Sequence, residues 1–471
     1  MRNNHIVTIF GGTGDLTYRK LLPAFYNLLL QDSLPKSFHI TIIGRRDLST
    51  EDYHQDLIPW LKEHSRFKVE DAQIEAFIKH VTYFKMLFTE EEGYPRLCDY
   101  YKSLDKKIHH DKLYYFAVDP SYFLTIAENL YKYDLVKNAS IIIEKPFGNN
   151  LKHAKEINER LIEIFTEENI YRIDHYLAKE MVQNILTVRS GNALFKNIWH
   201  KDVIESIQIS AAETVGVENR GNFYDVTGAL KDMVQSHMLQ ILTIVTMDLF
   251  EGLDSDALHR EQEKILENLK VINPNTDVIY GQYKGYTEEP NVDGDSKTET
   301  YVAIRFEIDN ERWSGVPIFV RTGKKLSKRS TEITIQLKQL GSMDPNLIVI
   351  KVQPDEGIYV KLNIKTPGHT NNTESVYMDF CQSCNLEYRQ NTPEAYERLL
   401  DAAMQHDRTM FASLKQVLLS WEITEDILQQ TQDNPLHIYD QYSKGPKTTD
   451  ELLEKENTSW FVDTLLGELQ D

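Results

Sequence analysis

The sequence predicts an α/β Rossmann-like amino-terminal domain followed by a large α+β carboxy-terminal domain with a mainly antiparallel sheet. Three observations point there. Short apolar runs alternate with helical stretches up to about residue 173, the pattern of a parallel sheet. A glycine turn stands between the first of those runs and the first helix. After residue 180, strand-like runs follow one another with few crossover helices between them, which suits an antiparallel sheet. At 471 residues the chain exceeds one ordinary core, so two domains are expected, over residues 1–173 and 174–471.

In order along the chain, His5–Phe10 reads as a short buried strand and Leu16–Leu30 as a helix with Pro23 awkwardly inside it. Between them lies Gly11-Gly12-Thr13-Gly14-Asp15. A strand, a glycine turn and a helix amino terminus in this order form an anion site, because glycines let backbone approach a pyrophosphate and the helix dipole favours its charge. Thr17 occupies the third glycine position of the dinucleotide fingerprint, so an ordinary tight turn is the competing reading. The run Phe38–Ile43 ends in Gly44-Arg45-Arg46. At that place an acidic residue accepts from a ribose 2′-hydroxyl, whereas arginine pairs with a 2′-phosphate. Arg45 therefore favours NADP, with NAD as a secondary coenzyme.

Leu113–Val118 and Ser140–Ile143 read as further parallel strands, the second running into Glu144-Lys145-Pro146-Phe147-Gly148. Ligands of open α/β sheets sit beyond the carboxyl ends of the strands, so Lys145 is placed to reach them. Ile170–Ile173 then delivers Asp174, His175, Tyr176 and Lys179 to the same edge. If a helix begins near Asp174, His175 and Lys179 share a face at i and i+4, and with the Tyr176 hydroxyl they can grip one phosphate. A helix start capped by Asp174 and otherwise solvated is the plainer alternative.

Beyond residue 180, the strand-like runs are Val203–Ala212, Tyr301–Ile308, Ile318–Arg321, Ile333–Leu337, Leu347–Val352 and Gly357–Lys365. Thr392-Pro393-Glu394 reads as a helix start and Ala395–Gln405 as its body, while the acidic segment from Glu451 reads as a solvated helix or tail.

Composition narrows the partners. With 41% hydrophobic residues and a mean hydropathy of −0.45 the chain is of the soluble globular class. A formal net charge of −20 argues against nucleic acid, and any anionic substrate must be met by a local cationic cluster. The apolar run near the amino terminus is too short for a signal peptide, and Met238–Phe250 is interrupted by polar residues, so no membrane association and a cytoplasmic location are expected. Cys98, Cys381 and Cys384 are the only cysteines. The last two have redox or zinc spacing, yet no second pair or nearby histidine completes a site, so they read as structural and no metal is expected.

Several segments together carry a resemblance: RIDHYLAKEMVQNI from Arg172, GGTGDLTYRKLLPA from Gly11, IIIEKPFG from Ile141, AAETVGVENRG from Ala211, KDMVQSHMLQIL from Lys231 and WSGVPIFVRTGKKL from Trp313. They resemble the glucose-6-phosphate dehydrogenase family over nearly the whole chain. The resemblance implies oxidation of D-glucose 6-phosphate at C1 to 6-phosphoglucono-δ-lactone, with hydride transfer to NADP. It implies that His237 is the general base and that Asp174 orients it, as in other base and orienter pairs. It assigns the phosphate to His175, Tyr176 and Lys179, sugar hydroxyls to Glu213 and Asp232, and a distal basic pair to Lys324 and Arg329. On the coenzyme side it implies Gly11, Gly14, Asp15, Lys20, Arg45 and Lys145, with Lys20 at the junction with substrate. It also implies a homodimer or homotetramer, assembled through the sheet of the second domain.

Taken without the family, His237 reads as a packed helix histidine, since apolar residues surround it in sequence. Asp232 and His237, five residues apart, fall about 140° apart on a regular helix, so either the helix is irregular or the site wraps around it. The departures Arg189-Ser-Gly-Asn192 and Trp199-His200 from the usual family pattern bear on packing only. Two other functions compete: an oxidoreductase of an unphosphorylated sugar, disfavoured by the His175, Tyr176 and Lys179 cluster, and an NADP-sensing regulator, which has no use for Asp174 with His237.

Overall fold

The structure, a computed structural model, describes residues 4–104, 111–250, 252, 254–369, 371–382 and 392–461. It divides into two compact units. The first comprises residues 1–178, 254–259 and 393–418.

Six parallel strands form the sheet of the first unit: β1 (His5–Phe10), β2 (Phe38–Gly44), β3 (Val81–Lys85), β4 (Asp111–Phe116), β5 (Ala139–Ile143) and β6 (Ile170–Ile173). Their spatial order is 3-2-1-4-5-6, that of a doubly wound dinucleotide-binding sheet. All six residues of β1 are buried, which explains its apolar and β-branched composition after His5. Phe411–Ala412, from far along the chain, adds one antiparallel strand beside β6. The helix Ala395–Met404 joins the same core, Leu399 and Leu400 packing with Leu21 and Phe25. Its cap is Glu394, in a reciprocal box with Glu397, so Pro393 lies before the helix rather than in its first turn.

Pro23 fits through an irregularity. Thr17–Leu21 is a π-turn, and the α-helix proper runs over Leu22–Leu30. Pro23 then falls directly after the Leu22 N–H to Thr17 O bond, of i→i+5 span, that closes the π-turn.

The second unit comprises residues 179–253, 260–392 and 419–471. Its sheet runs, edge to edge, Thr373–Cys381, Gly357–Lys365, Leu347–Gln353, Ser330–Leu337, Ile204–Ala212, Ile318–Gly323, Tyr301–Ile308, Val278–Tyr283 and Leu436–Tyr439. Neighbours are antiparallel except Ile204–Ala212 with Ile318–Gly323 and Val278–Tyr283 with Leu436–Tyr439. The mainly antiparallel expectation therefore holds.

One expectation fails at the carboxyl end. Leu452 and Leu453, on the helix Thr448–Glu454, and Trp460 beyond it are buried in a core with Phe319 and Tyr301. Apolar residues interleaved among the acids anchor residues 451–461, so this part is not a solvated tail; residues 462–471 lie outside the described residues. Cys98 is a free thiol and Cys381 is disulfide-bonded; Cys384 lies outside the described residues. Among the described residues no helix is long and apolar enough to cross a membrane.

Candidate active site

In the first unit the glycine turn leaves no room for side chains. Gly11 has φ +86°, and a Cβ on it would stand 2.1 Å from the Ala117 carbonyl oxygen. A Cβ on Gly12 would stand 2.1 Å from Ile42 Cγ2. Glycine is thus required for the turn to nest against the ends of the neighbouring strands. The Gly14 N–H donates to Gly11 O at 3.0 Å. Thr17, at the third fingerprint position, is buried and donates its hydroxyl to the same oxygen at 3.2 Å, bracing the turn in place of a third glycine. Asp15, at the helix start, is exposed and lies 3.4 Å from Arg19. An exposed turn opening a helix fits a pyrophosphate.

Arg45 is exposed directly after β2. The nearby Asp47 is engaged by Lys85 at 2.8 Å, so the guanidinium rather than a free carboxylate dominates that strand end. Lys20 is paired with Glu394 at 2.8 Å. Lys145 follows β5 and Glu144, whose Oε1 accepts from the Tyr115 and Tyr396 hydroxyls at 2.6 and 3.1 Å. Burial pushes the Glu144 carboxyl up from its ordinary value, against the lowering effect of those bonds and of Lys145.

Asp174 is buried at the end of β6, and its Oδ1 accepts the Tyr176 N–H at 2.8 Å. The Leu177 N–H donates to its backbone carbonyl at 3.1 Å. This side-chain turn diverts the chain, and the helix begins only at Glu180. The expected helix from Asp174 does not form, so His175 and Lys179 are not one helical turn apart. Tyr176 is buried, its ring centroid 5.0 Å from that of His175. Arg172, in the same sequence segment, serves the core: fully buried, it grips both Glu167 oxygens at 2.8 and 2.9 Å and Asn158 at 2.8 Å.

In the second unit, Leu230–Met238 is a π-helix, with the Leu239 N–H closing an i→i+5 bond to Val234 O. Bonds of that span set residues five apart one above the other. Asp232 and His237 therefore share a face, which resolves the 140° offset a regular helix imposes. Both are buried, at 6% and 2% exposure. Gly228 begins this distortion with φ 68° and ψ 178°. Beside it the half-buried Glu299 accepts the Leu230 N–H at 3.0 Å, capping the helix from outside. Desolvation raises the Glu299 pKa. Neither Glu299 nor Gly228 was identified from sequence; the glycine ahead of Ala-Leu-Lys-Asp-Met is the only trace of the break.

Glu213 follows the strand Ile204–Ala212, and its Oε2 accepts from Lys324 Nζ. The structure thus joins two of the expected substrate residues as an ion pair, with the Lys324 ammonium 5.0 Å from the Tyr224 ring. Arg329 is exposed ahead of the strand Ser330–Leu337, and among the described residues no hydrogen bond or ion pair links it to Glu213 or Lys324. Lys179 donates to Gln353 Oε1 at 2.6 Å.

The departing segments have structural roles. Arg189 is buried and donates to Ile244 O and Met247 O, Trp199 Nε1 to Val245 O, and Trp313 Nε1 to Thr246 O, at 2.6–2.7 Å. These donors satisfy the carbonyls at the end of Leu239–Thr246, which otherwise lack helical partners. That helix continues directly from the segment bearing His237.

The family model for the glucose-6-phosphate dehydrogenase NAD binding domain matches residues 8–184, and that for the C-terminal domain of the same enzyme matches residues 186–461. The chain is 38% identical to the glucose-6-phosphate 1-dehydrogenase of Chlamydia pneumoniae, over 97% of this chain and 95% of that protein. It is 37% identical to the one from Bacillus subtilis, over 97% and 98% respectively. A solved structure of glucose-6-phosphate dehydrogenase with glucose 6-phosphate superposes with a TM-score of 0.91 at 33% identity, covering 98% of this chain and 99% of that one. With both family models, full-length relatives and the 3-2-1-4-5-6 sheet in agreement, the chain belongs to the glucose-6-phosphate dehydrogenase family.

Proposed function

We propose that the chain oxidises D-glucose 6-phosphate at C1 to 6-phosphoglucono-δ-lactone with NADP, and works as a homodimer or homotetramer. The observation that carries the site reading is the π-turn stacking Asp232 under His237. His237 takes the proton of the C1 hydroxyl as C1 becomes the lactone carbonyl carbon, the usual task of a positioned imidazole. Bound coenzyme supplies the acceptor for the C1 hydride. Asp174 fixes the tautomer of that imidazole and stabilises its charged form, by analogy with base and orienter pairs generally. Asp232 and Glu213 accept from sugar hydroxyls, a task for groups that accept several hydrogen bonds without donating. His175, Tyr176 and Lys179 bind the phosphate, Lys324 and Arg329 add positive charge further out, and Lys20 and Lys145 stand between sugar and coenzyme. Gly11, Gly14 and Asp15 form the pyrophosphate turn.

The test is direct. Purified protein with glucose 6-phosphate and NADP should reduce the nicotinamide, read by its absorbance, while unphosphorylated glucose at the same concentration should give little. No reduction with NADP or NAD would sink the enzyme reading and leave the regulator.

Coenzyme choice rests on Arg45. Arg45→Ala should raise KM for NADP about 10–100-fold, the worth of one charge-assisted bond to phosphate, and leave KM for NAD nearly unchanged. Equal effects on both coenzymes would remove Arg45 from the 2′-phosphate.

A further inference from the structure

At the edge of the parallel sheet opposite the glycine turn, three ligand-bearing side chains converge. His5 opens β1 and Asp111 opens β4, and the two are register partners on adjacent strands. His406 reaches them from the turn after Ala395–Met404. One ligand atom from each lies within 4.8 Å of the others. His5 is buried, Asp111 partly so, and His406 exposed.

The His406 ring is held on one side, its Nδ1 and the Tyr171 hydroxyl being hydrogen-bonded at 3.3 Å. Its other nitrogen, Nε2, stands 3.9 Å from Asp111 Oδ2. A ligating imidazole held at its outer nitrogen by a fixed partner is the arrangement found around protein metals.

The backbone adds an independent sign. His406 stands at φ 57°, where the His406 N–H donates to Ala403 O and the Asp407 N–H to Ala402 O. These are the two bonds of a Schellman ending, whose left-handed position glycine fills by default. A histidine held there despite the strain points to a use for its side chain.

We propose that His5, Asp111 and His406 bind one divalent transition-metal ion of the zinc class, which clasps the amino ends of β1 and β4 to the turn at residue 406. Two imidazoles and one carboxylate suit zinc, with water as fourth ligand. Ligands about 2.0–2.2 Å from a shared ion stand closer together than the atoms do in its absence; the exposed His406 supplies the movement.

Full-length protein stripped with chelator should bind one equivalent of zinc by calorimetry, and its Tm should rise by about 3 °C or more at a hundredfold excess over Kd. His406→Gly relieves the backbone strain, so its metal-free Tm should equal or exceed that of the parent, while this equivalent and its Tm shift disappear. Asp111→Asn should weaken zinc binding at least tenfold. Zinc binding that survives in His406→Gly would overturn the site. So would a parent protein that binds no zinc.

Discussion

Replacing His237 with asparagine is expected to lower kcat by a factor of about 10³, the middle of the range for a positioned base. Binding of reduced coenzyme, followed by its fluorescence, should be unchanged, and KM for glucose 6-phosphate should move only a few-fold. The acid limb of the kcat profile, where protonation of the base silences the parent enzyme, should vanish in the variant. Asp174→Asn should lower kcat strongly as well, since the asparagine cannot stabilise an imidazolium. The two losses should fail to add in the double variant, as expected for residues acting as a unit. A His237 variant with more than a tenth of the parent kcat would remove the base from this position.

Gly228→Ala is expected to destabilise the protein by about 3 kcal/mol or more, from backbone strain together with overpacking. Its backbone, at φ 68° and ψ 178°, lies in a region occupied almost only by glycine. A Cβ would stand 2.3 Å from Glu299 Oε1, the oxygen that caps Leu230. Denaturant unfolding would read the stability, and kcat of the folded fraction should fall because Asp232 and His237 ride on the displaced helix. Unaltered stability and turnover would show that the kink is not what shapes the π-turn. Glu299 gives a pH signature of known sign. Its folded pKa is raised, so its contribution is fully present below the unfolded carboxylate value and lost as pH rises through the folded one. Glu299→Gln, which keeps an acceptor for Leu230, should remove that loss and flatten the stability profile.

Strands rich in β-branched and aromatic residues were legible as they stand: His5–Phe10, Ile170–Ile173, Tyr301–Ile308 and Gly357–Lys365 have the bounds expected of them. Four others longer than two residues were not, Val81–Lys85, Val278–Tyr283, Thr373–Cys381 and Leu436–Tyr439, because polar and aromatic residues dilute their period and pairing partners supply the order. The turn over residues 175–178 was misread as a helix because the Asp174 carboxylate serves a turn and a helix cap with the same chemistry. Both π-turns, at Thr17–Leu21 and Leu230–Met238, depend on packing that a 3.6-residue periodicity does not encode. That is why the spacing of Asp232 and His237 looked wrong for a site. His5, Asp111 and His406 are separated by most of the chain, so no linear motif links them.

The first unit is completed by residues 393–418, which bring a strand beside β6 and a core helix. On the ribosome, residue 418 is made 240 residues after residue 178, roughly 12–48 s later at about 5–20 residues per second. Throughout that interval the nascent coenzyme domain carries an unpaired edge at β6 and an open apolar cleft where Leu399 and Leu400 will sit. Vectorial, domain-by-domain maturation is therefore closed to this chain, and its dependence on chaperones should be concentrated between the synthesis of residues 178 and 418.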